Sequence, residues 1–416
     1  MHRKIKEVVT RNADRLTKLT QDLVRINSEN HPPGGNEGEV QAYIADFWKA
    51  HKIEADAFSP NEVTGFISHP AYYDDGRHYE NRPVVVAKVP GLGGGRSLLF
   101  CGHIDTVGLG KVEWKHDPYA ATIENGRLYG RGAFDMKGGV AAMMMAAVLL
   151  REMGVTLKGD LLVETTSDEE FASSNGCVAA RARGYSPDAA VITEPTGLAL
   201  VVGHYGFRLS QVTIAGKTGI RVTDGEMANP VQHLAPILKA IEAFRAKRIT
   251  VTAYDTVMIT KLAANEFRLD ELLTVPPECR IEVYWQLTPE DDIAEIDALF
   301  ERCIAEACED DAYLMRNAPE ISYHLRPMPG SSVSPDAPIV RETASAIEAT
   351  GATPKLIDGF APNDSFVFNR YTDTPAIVFG PGGDDAHAPD EYVLVDDLAT
   401  CVEVYMNLAV KWCGVE

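Results

Sequence analysis

The chain has 416 residues, 45% hydrophobic and 24% charged, with a formal net charge of -21. That is an ordinary composition with enough apolar residues for a large core, and the length suggests two domains or one domain with a large insertion. The acidity argues against a phosphate backbone or an anionic membrane as partner.

The first 26 residues hold Val8, Leu16, Leu19, Leu23 and Ile26 at helical spacing and no continuous apolar run. They predict an amphipathic first helix rather than a signal peptide. Residues 67–83 predict a surface loop or hairpin insertion. The segment 97–101 predicts a buried strand leading into Gly102-His103-Ile104-Asp105. A helix is expected over 137–153. Its most apolar part, 139–150, is too short for the roughly 20 residues that span a bilayer. A second buried strand, 160–166, leads into Asp168-Glu169-Glu170. After a helix at 176–184, a third strand, 189–192, leads into Thr193-Glu194-Pro195.

The middle of the chain changes character. Residues 207–215 and 278–287 alternate like half-exposed strands, while 230–246 and 292–309 read as amphipathic helices and 321–325 as a closing strand. These predict a small α+β domain inserted at 206–328. The main domain then consists of 1–205 and 329–416. Its second part holds a helix at 338–351 and a strand at 375–379 that ends in Gly380-Pro381-Gly382-Gly383. Strands alternating with helices give an α/β class with a mostly parallel sheet flanked by helices. The seven cysteines are scattered with no C-x-x-C, which suits reduced thiols acting as small buried hydrophobes in a cytoplasmic protein.

The polar residues with chemical potential lie just past the strand ends, the edge where open α/β sheets bind ligands. His103 in H-x-D can offer a neutral imidazole to a metal, with Asp105 behind it. The turn 130–139 is rich in glycine and opens a helix. Its spacing fits neither a phosphate loop nor a dinucleotide fingerprint, which leaves presentation of Asp135 as the alternative. Asp168-Glu169-Glu170 places like charges side by side, an arrangement that a cation relieves. Glu194 is fixed by Pro195, and His387 lies in a loop rich in glycine and aspartate.

In order and spacing, GHIDTV, LYGRGAFDMKGG, TSDEE, TEP and AHAPDE resemble the M20 metallopeptidases. That family includes aminoacylases, acetylornithine deacetylase, succinyl-diaminopimelate desuccinylase and carboxypeptidase G. The resemblance implies a zinc-exopeptidase-like catalytic domain carrying a lid or dimerisation domain. It implies two divalent ions (Zn, Mn or Co), with occupancy of one site or both left open. His103 and Glu194 then serve one ion, Glu170 and His387 the other, and Asp135 bridges them. Glu169 is implied as general base and Asp105 as the carboxylate that orients His103. The expected partners are a small-molecule substrate and a second copy of the chain, as a homodimer or higher homo-oligomer.

Two positions depart from the family. Ile220 stands where a histidine that polarises the substrate carbonyl is usual, and Gln286 where an arginine usually grips a substrate carboxylate. Isoleucine cannot donate to an oxyanion, and losing one such donor costs about 3–4 kcal/mol in the transition state. His204, Arg221, His324 and Asn363 are the polar candidates for substrate binding, beside Ile220 and Gln286. The expected reaction is hydrolysis of the amide of an N-acyl amino acid. The alternatives are hydrolytic deamination of an activated aromatic amine, dipeptidase or carboxypeptidase activity, and a metal-binding regulator without catalysis.

Overall fold

The chain divides into two compact units, Met1–His204 with Ser331–Glu416, and Tyr205–Gly330. The computed structural model describes residues 1–74, 76–172, 174–218, 229–248, 257–266 and 274–416.

In the first unit, every residue of Leu98–His103 and of Leu161–Thr166 is buried. Such strands need cover on both faces, so they lie at the middle of a sheet. The sheet runs, in spatial order, Ser331–Ser332, Leu200–His204, Ala376–Val378, Ala190–Ile192, Leu98–His103, Leu161–Thr166, Val84–Val89, Glu54–Phe58, with Leu356–Asp358 also paired to Leu200–His204. The four strands from Ala376–Val378 to Leu161–Thr166 run parallel. Both flanks include antiparallel pairs, so the sheet is mixed, with its parallel part at the centre. The parallel centre aligns four carboxyl-terminal strand ends along one rim.

Helix Gly138–Glu152 is buried from Gly138 to Leu150. By length and composition Ala133–Glu152 passes for a membrane span, but 89% of its apolar window is buried inside the fold. It is a core helix, packed against Val395–Cys413; Phe100 of the sheet meets Tyr405 of that helix at 4.9 Å between ring centres.

Two expectations need correction. The N-terminal helix is two helices, His2–Arg11 and Ala13–Arg25. Asn12 lies between them and its Nδ2 donates to the Val8 carbonyl at 2.8 Å, the local side-chain bonding by which asparagine interrupts a helix. Residues 67–83 are largely exposed, as expected of a surface loop, but Ala71, Tyr79 and Arg82 are buried and anchor it, and Phe66 just before it packs edge-on against Tyr72 and Tyr79. The buried side of the segment forms a plug, and that side was not expected.

A small second sheet, ordered Gly383–Asp384, Tyr392–Leu394, Arg127–Tyr129, Thr122–Glu124, belongs to the first unit. It pairs the loop that carries His387 with the strand that enters the glycine turn at 130, joining segments about 260 residues apart in sequence.

The second unit has an antiparallel sheet ordered Val257–Ala263, Glu278–Leu287, Gly206–Ala215, Glu320–Ser322. Helices Leu234–Arg248 and Ile293–Cys308 pack beside each other. Val212, Ile214, Ile281, Val283 and Trp285 from alternate strand positions meet Phe244 and Phe300 from the helices. Ile220 and Arg221 lie outside the described residues.

Candidate metal centre

His103 is the last residue of its strand, so its ring leaves the sheet at the rim. Nδ1 lies 2.9 Å from the main-chain oxygen of Asp105 and 3.6 Å from its carboxylate. With the Nδ1 proton given to that carbonyl, Nε2 keeps its lone pair for the site. Nε2 is 3.1 Å from Asp135 Oδ1, 3.6 Å from Glu194 Oε1 and 3.9 Å from Glu169 Oε2. On the other side of Asp135, His387 Nε2 is 3.3 Å from Oδ2 and 2.8 Å from Glu170 Oε2. Asp135 therefore offers one oxygen to each imidazole.

The result is two ligand groups sharing Asp135: His103, Asp135 and Glu194, and Asp135, Glu170 and His387. Within each, the ligand atoms all lie within 4.8 Å of one another. Glu169 stands beside the first group without belonging to either.

The electrostatics are those of a carboxylate-rich pocket. Burial, then the Glu194 and Asp364 charges against the opposing pull of His103, raises Glu169 well above the usual carboxylate range. Burial and the Asp135 charge do the same to Glu194. Glu170 is pushed up to about 7 by burial and Asp135, against the pull of His387. His387 is raised to about 11 by its hydrogen bonds to Asp135 and Glu170. Burial opposes a charge on His103, but Glu194 and Asp135 outweigh it and raise its affinity for a proton. The protein's own groups thus leave excess negative charge that takes up protons, and divalent cations would take the place of those protons. Imidazole nitrogens and carboxylate oxygens without sulfur fit zinc, manganese or cobalt.

Two supports hold the ligands. The Asp105 carboxylate accepts from the backbone N–H of Glu169 at 3.0 and 3.1 Å and of Glu170 at 3.1 Å, so it sets the turn that bears both side chains. Glu391 was not singled out from the sequence. Its Oε1 accepts from the N–H groups of Phe134 and Asp135 at 3.0 Å, and its Oε2 from Gly132 N–H at 3.1 Å and Arg131 Nη1 at 2.6 Å. It fixes the glycine turn under Asp135. The signal was available: a turn of this kind exposes consecutive N–H groups that need an acceptor.

Of the other candidates, His204 and Asn363 are engaged by neighbours within the first unit. His204, buried at the end of Leu200–His204, has Nε2 at 3.1 Å from Ser331 Oγ. Asn363 is buried, with both amide atoms bonded within its own turn to Ala361 O and Ser365 N–H. Gln286 and His324 belong to the second unit. There Gln286 lies on Glu278–Leu287, and His324 Nε2 meets Ser322 Oγ at 3.1 Å. All seven cysteines are buried and free. Cys101 and Cys177 lie with Glu164 in a third compact group, but Glu164 is already neutralised by buried Arg181.

Residues 99–411 match the model of peptidase family M20/M25/M40. A curated succinyl-diaminopimelate desuccinylase from Methylobacterium radiotolerans is 30% identical over 413 residues, covering 94% of this chain and 95% of its own. Among solved structures, human carnosine dipeptidase 1 superposes with a TM-score of 0.73 at 15% identity, covering 99% of this chain and 100% of its own. The Bacillus subtilis YXEP protein, a dinuclear metal binding peptidase, gives 0.66 at 14% identity, covering 98% and 100%. At these identities the two structures speak to the fold alone.

Proposed function

The chain belongs to peptidase family M20/M25/M40, and on that premise we propose that its hydrolase activity cleaves the amide of an N-acyl amino acid. The observation that carries this reading is the desuccinylase relative, 30% identical along nearly the whole of both chains.

In this reading His103, Glu194 and Asp135 would hold one divalent ion, and Asp135, Glu170 and His387 would hold a second. Bound there, such ions would supply a water made acidic near neutral pH and positive charge for the substrate's carbonyl oxygen. Asp135 sets the spacing of the two groups. The Asp105 carbonyl keeps His103 in the tautomer that leaves Nε2 available. Glu169 is the general base. It lies beside the ligands yet belongs to neither group, so its carboxylate is available for a proton. It takes a proton from the attacking water and delivers it to the leaving nitrogen, which departs as a neutral amine.

Ile220 supports a second reading. An activated aromatic amine needs no donor to an amide oxyanion, so hydrolytic loss of ammonia from such a ring would tolerate isoleucine there. A homodimer joins the proposal. Among the described residues, strand Val257–Ala263 ends the sheet order of the second unit and exposes Met258, Ile259 and Leu262, and an exposed apolar edge of this kind is a template for pairing with another chain. Release of primary amine from N-succinyl and N-acetyl amino acids by metal-loaded protein tests the main reading; an unreactive panel would refute it.

A further inference from the structure

The turn after Leu161–Thr166 is strained. Asp168 has φ of 72°, and Ala172 and Ser174 have 61° and 53°, all in the left-handed region without being glycine. Each such residue costs about 1–3 kcal/mol and persists only where its surroundings hold it. This turn presents Glu169 and Glu170.

What holds it is the plug. The fully buried Asp168 carboxylate accepts from Tyr79 OH at 2.7 Å and from Arg82 Nη2 and Asn30 Nδ2 at 3.1 Å each, and forms an ion pair with Arg77 Nη1 at 3.2 Å. Three of the four partners lie within 77–82. Arg82 is itself fixed by the buried Glu37 carboxylate at 2.6 Å.

Asn30 links this clamp to the ligands. Its Nδ2 carries two protons and reaches both Asp168 and, at 2.8 Å, Asp105 Oδ2, while Arg77 Nη1 holds its Oδ1 at 3.0 Å. One amide thus joins two buried carboxylates that would otherwise repel each other. Asp105 passes the constraint on through the N–H groups of Glu169 and Glu170 and, by its carbonyl, to His103.

We propose that Asn30, Arg77, Tyr79 and Arg82 are positioning residues for the metal centre, setting Glu169, Glu170 and His103 through Asp168 and Asp105. The inference rests on the reading of the two ligand groups as a metal centre. It gives the plug a task in the reaction beyond filling space, since the bonds from Tyr79 through Asp168 and Asn30 to Asp105 are between buried polar groups, and only the last, to the N–H groups of Glu169 and Glu170, is part-buried.

The test is calorimetric titration of metal-stripped, full-length protein with Zn2+, comparing wild type, Tyr79→Phe, Asn30→Ala and the control Tyr185→Phe. Tyr185 OH bonds Asp56 at 2.7 Å and no ligand of the site, so its loss reports a structural hydroxyl alone. Substitutions of groups that orient metal ligands typically cost about 10–100-fold in affinity or activity. Tyr79→Phe and Asn30→Ala are expected to weaken Zn2+ by about tenfold or more. With a substrate in hand they are expected to lower kcat while KM stays within about threefold of wild type. Tyr185→Phe is expected to lower the melting temperature without either effect. Should Asn30→Ala fail to fold, Tyr79→Phe, which removes one hydroxyl and keeps the ring, decides alone. Wild-type Zn2+ affinity and kcat in Tyr79→Phe would overturn the positioning role. Failure of the wild-type protein to bind Zn2+, Mn2+ or Co2+ would instead refute the metal-centre reading on which it rests.

Discussion

Glu169 and Glu170 are adjacent, carry the same functional group and hang from one turn, yet the geometry divides them. Glu170 bonds His387 at 2.8 Å and belongs to a ligand group; Glu169 belongs to none. Glu169→Gln keeps the volume and removes the carboxylate proposed as the base. We expect it to retain wild-type metal content by elemental analysis and to lose at least 100-fold in kcat, in line with the 10²–10⁴-fold effects typical of general-base removal (about 3–5 kcal/mol). Near-wild-type turnover would remove it from the mechanism. Glu391 is a support, so its loss should read differently. Glu391→Ala leaves the N–H groups of Gly132, Phe134 and Asp135 without their acceptor and Arg131 without its buried counter-charge. Breaking such a buried pair costs about 3–5 kcal/mol, so chemical denaturation should show a large loss of stability; an unchanged midpoint would contradict the role assigned to the turn. Residues at strand ends, such as His103 and Glu194, were legible because a buried apolar run announces where the chain emerges. Asn30 was not, because a hydrogen-bonding role depends on which groups the fold turns toward it; for Glu391 the glycine turn signalled only that some acceptor was needed, not which residue supplies it.

Elements put these residues in place through close approach. Helix Gly138–Glu152 meets the end of Ala190–Ile192 so tightly that a Cβ at Gly139 would stand 2.0 Å from the Thr193 carbonyl oxygen, one residue before Glu194. Helix propensity favours alanine there by about 1 kcal/mol. Overpacking costs about 1–3 kcal/mol, and here the obstacle is backbone, which has little room to give. Gly139→Ala should therefore lower the melting temperature and weaken metal binding; a more stable variant would show that this contact is slack. Strand–helix alternation gave away the central elements, including Glu278–Leu287, whose burial alternates at every position. The break at Asn12 and the buried side of 67–83 escaped for separate reasons. Helical spacing continues across a single asparagine, and a segment rich in tyrosine, arginine and aspartate reads as surface until its partners, Asp168 and Glu37, are known.

At the scale of the whole molecule, both units expose large apolar side chains, but three of the second unit's fall on one strand. The second unit's edge strand Val257–Ala263 exposes three large apolar side chains, and a homodimer is the expected state in light scattering; a monomer mass at micromolar concentration would contradict it. The hydrolase family was legible because five short motifs fall in order along a chain that matches the family model over 99–411. The substrate was not, because the positions that depart from the family, Ile220 and Gln286, tell what is missing rather than what replaces it. The central claim is that this centre cleaves the amide of an N-acyl amino acid. Its most direct test is a mass-spectrometric product screen of metal-loaded protein against N-acetyl, N-succinyl and N-benzoyl amino acids, dipeptides and ring-activated aromatic amines. The account predicts free amino acid and acyl acid from the N-acyl compounds, abolished in Glu169→Gln. Ammonia and a phenol from the aromatic amines alone would contradict it.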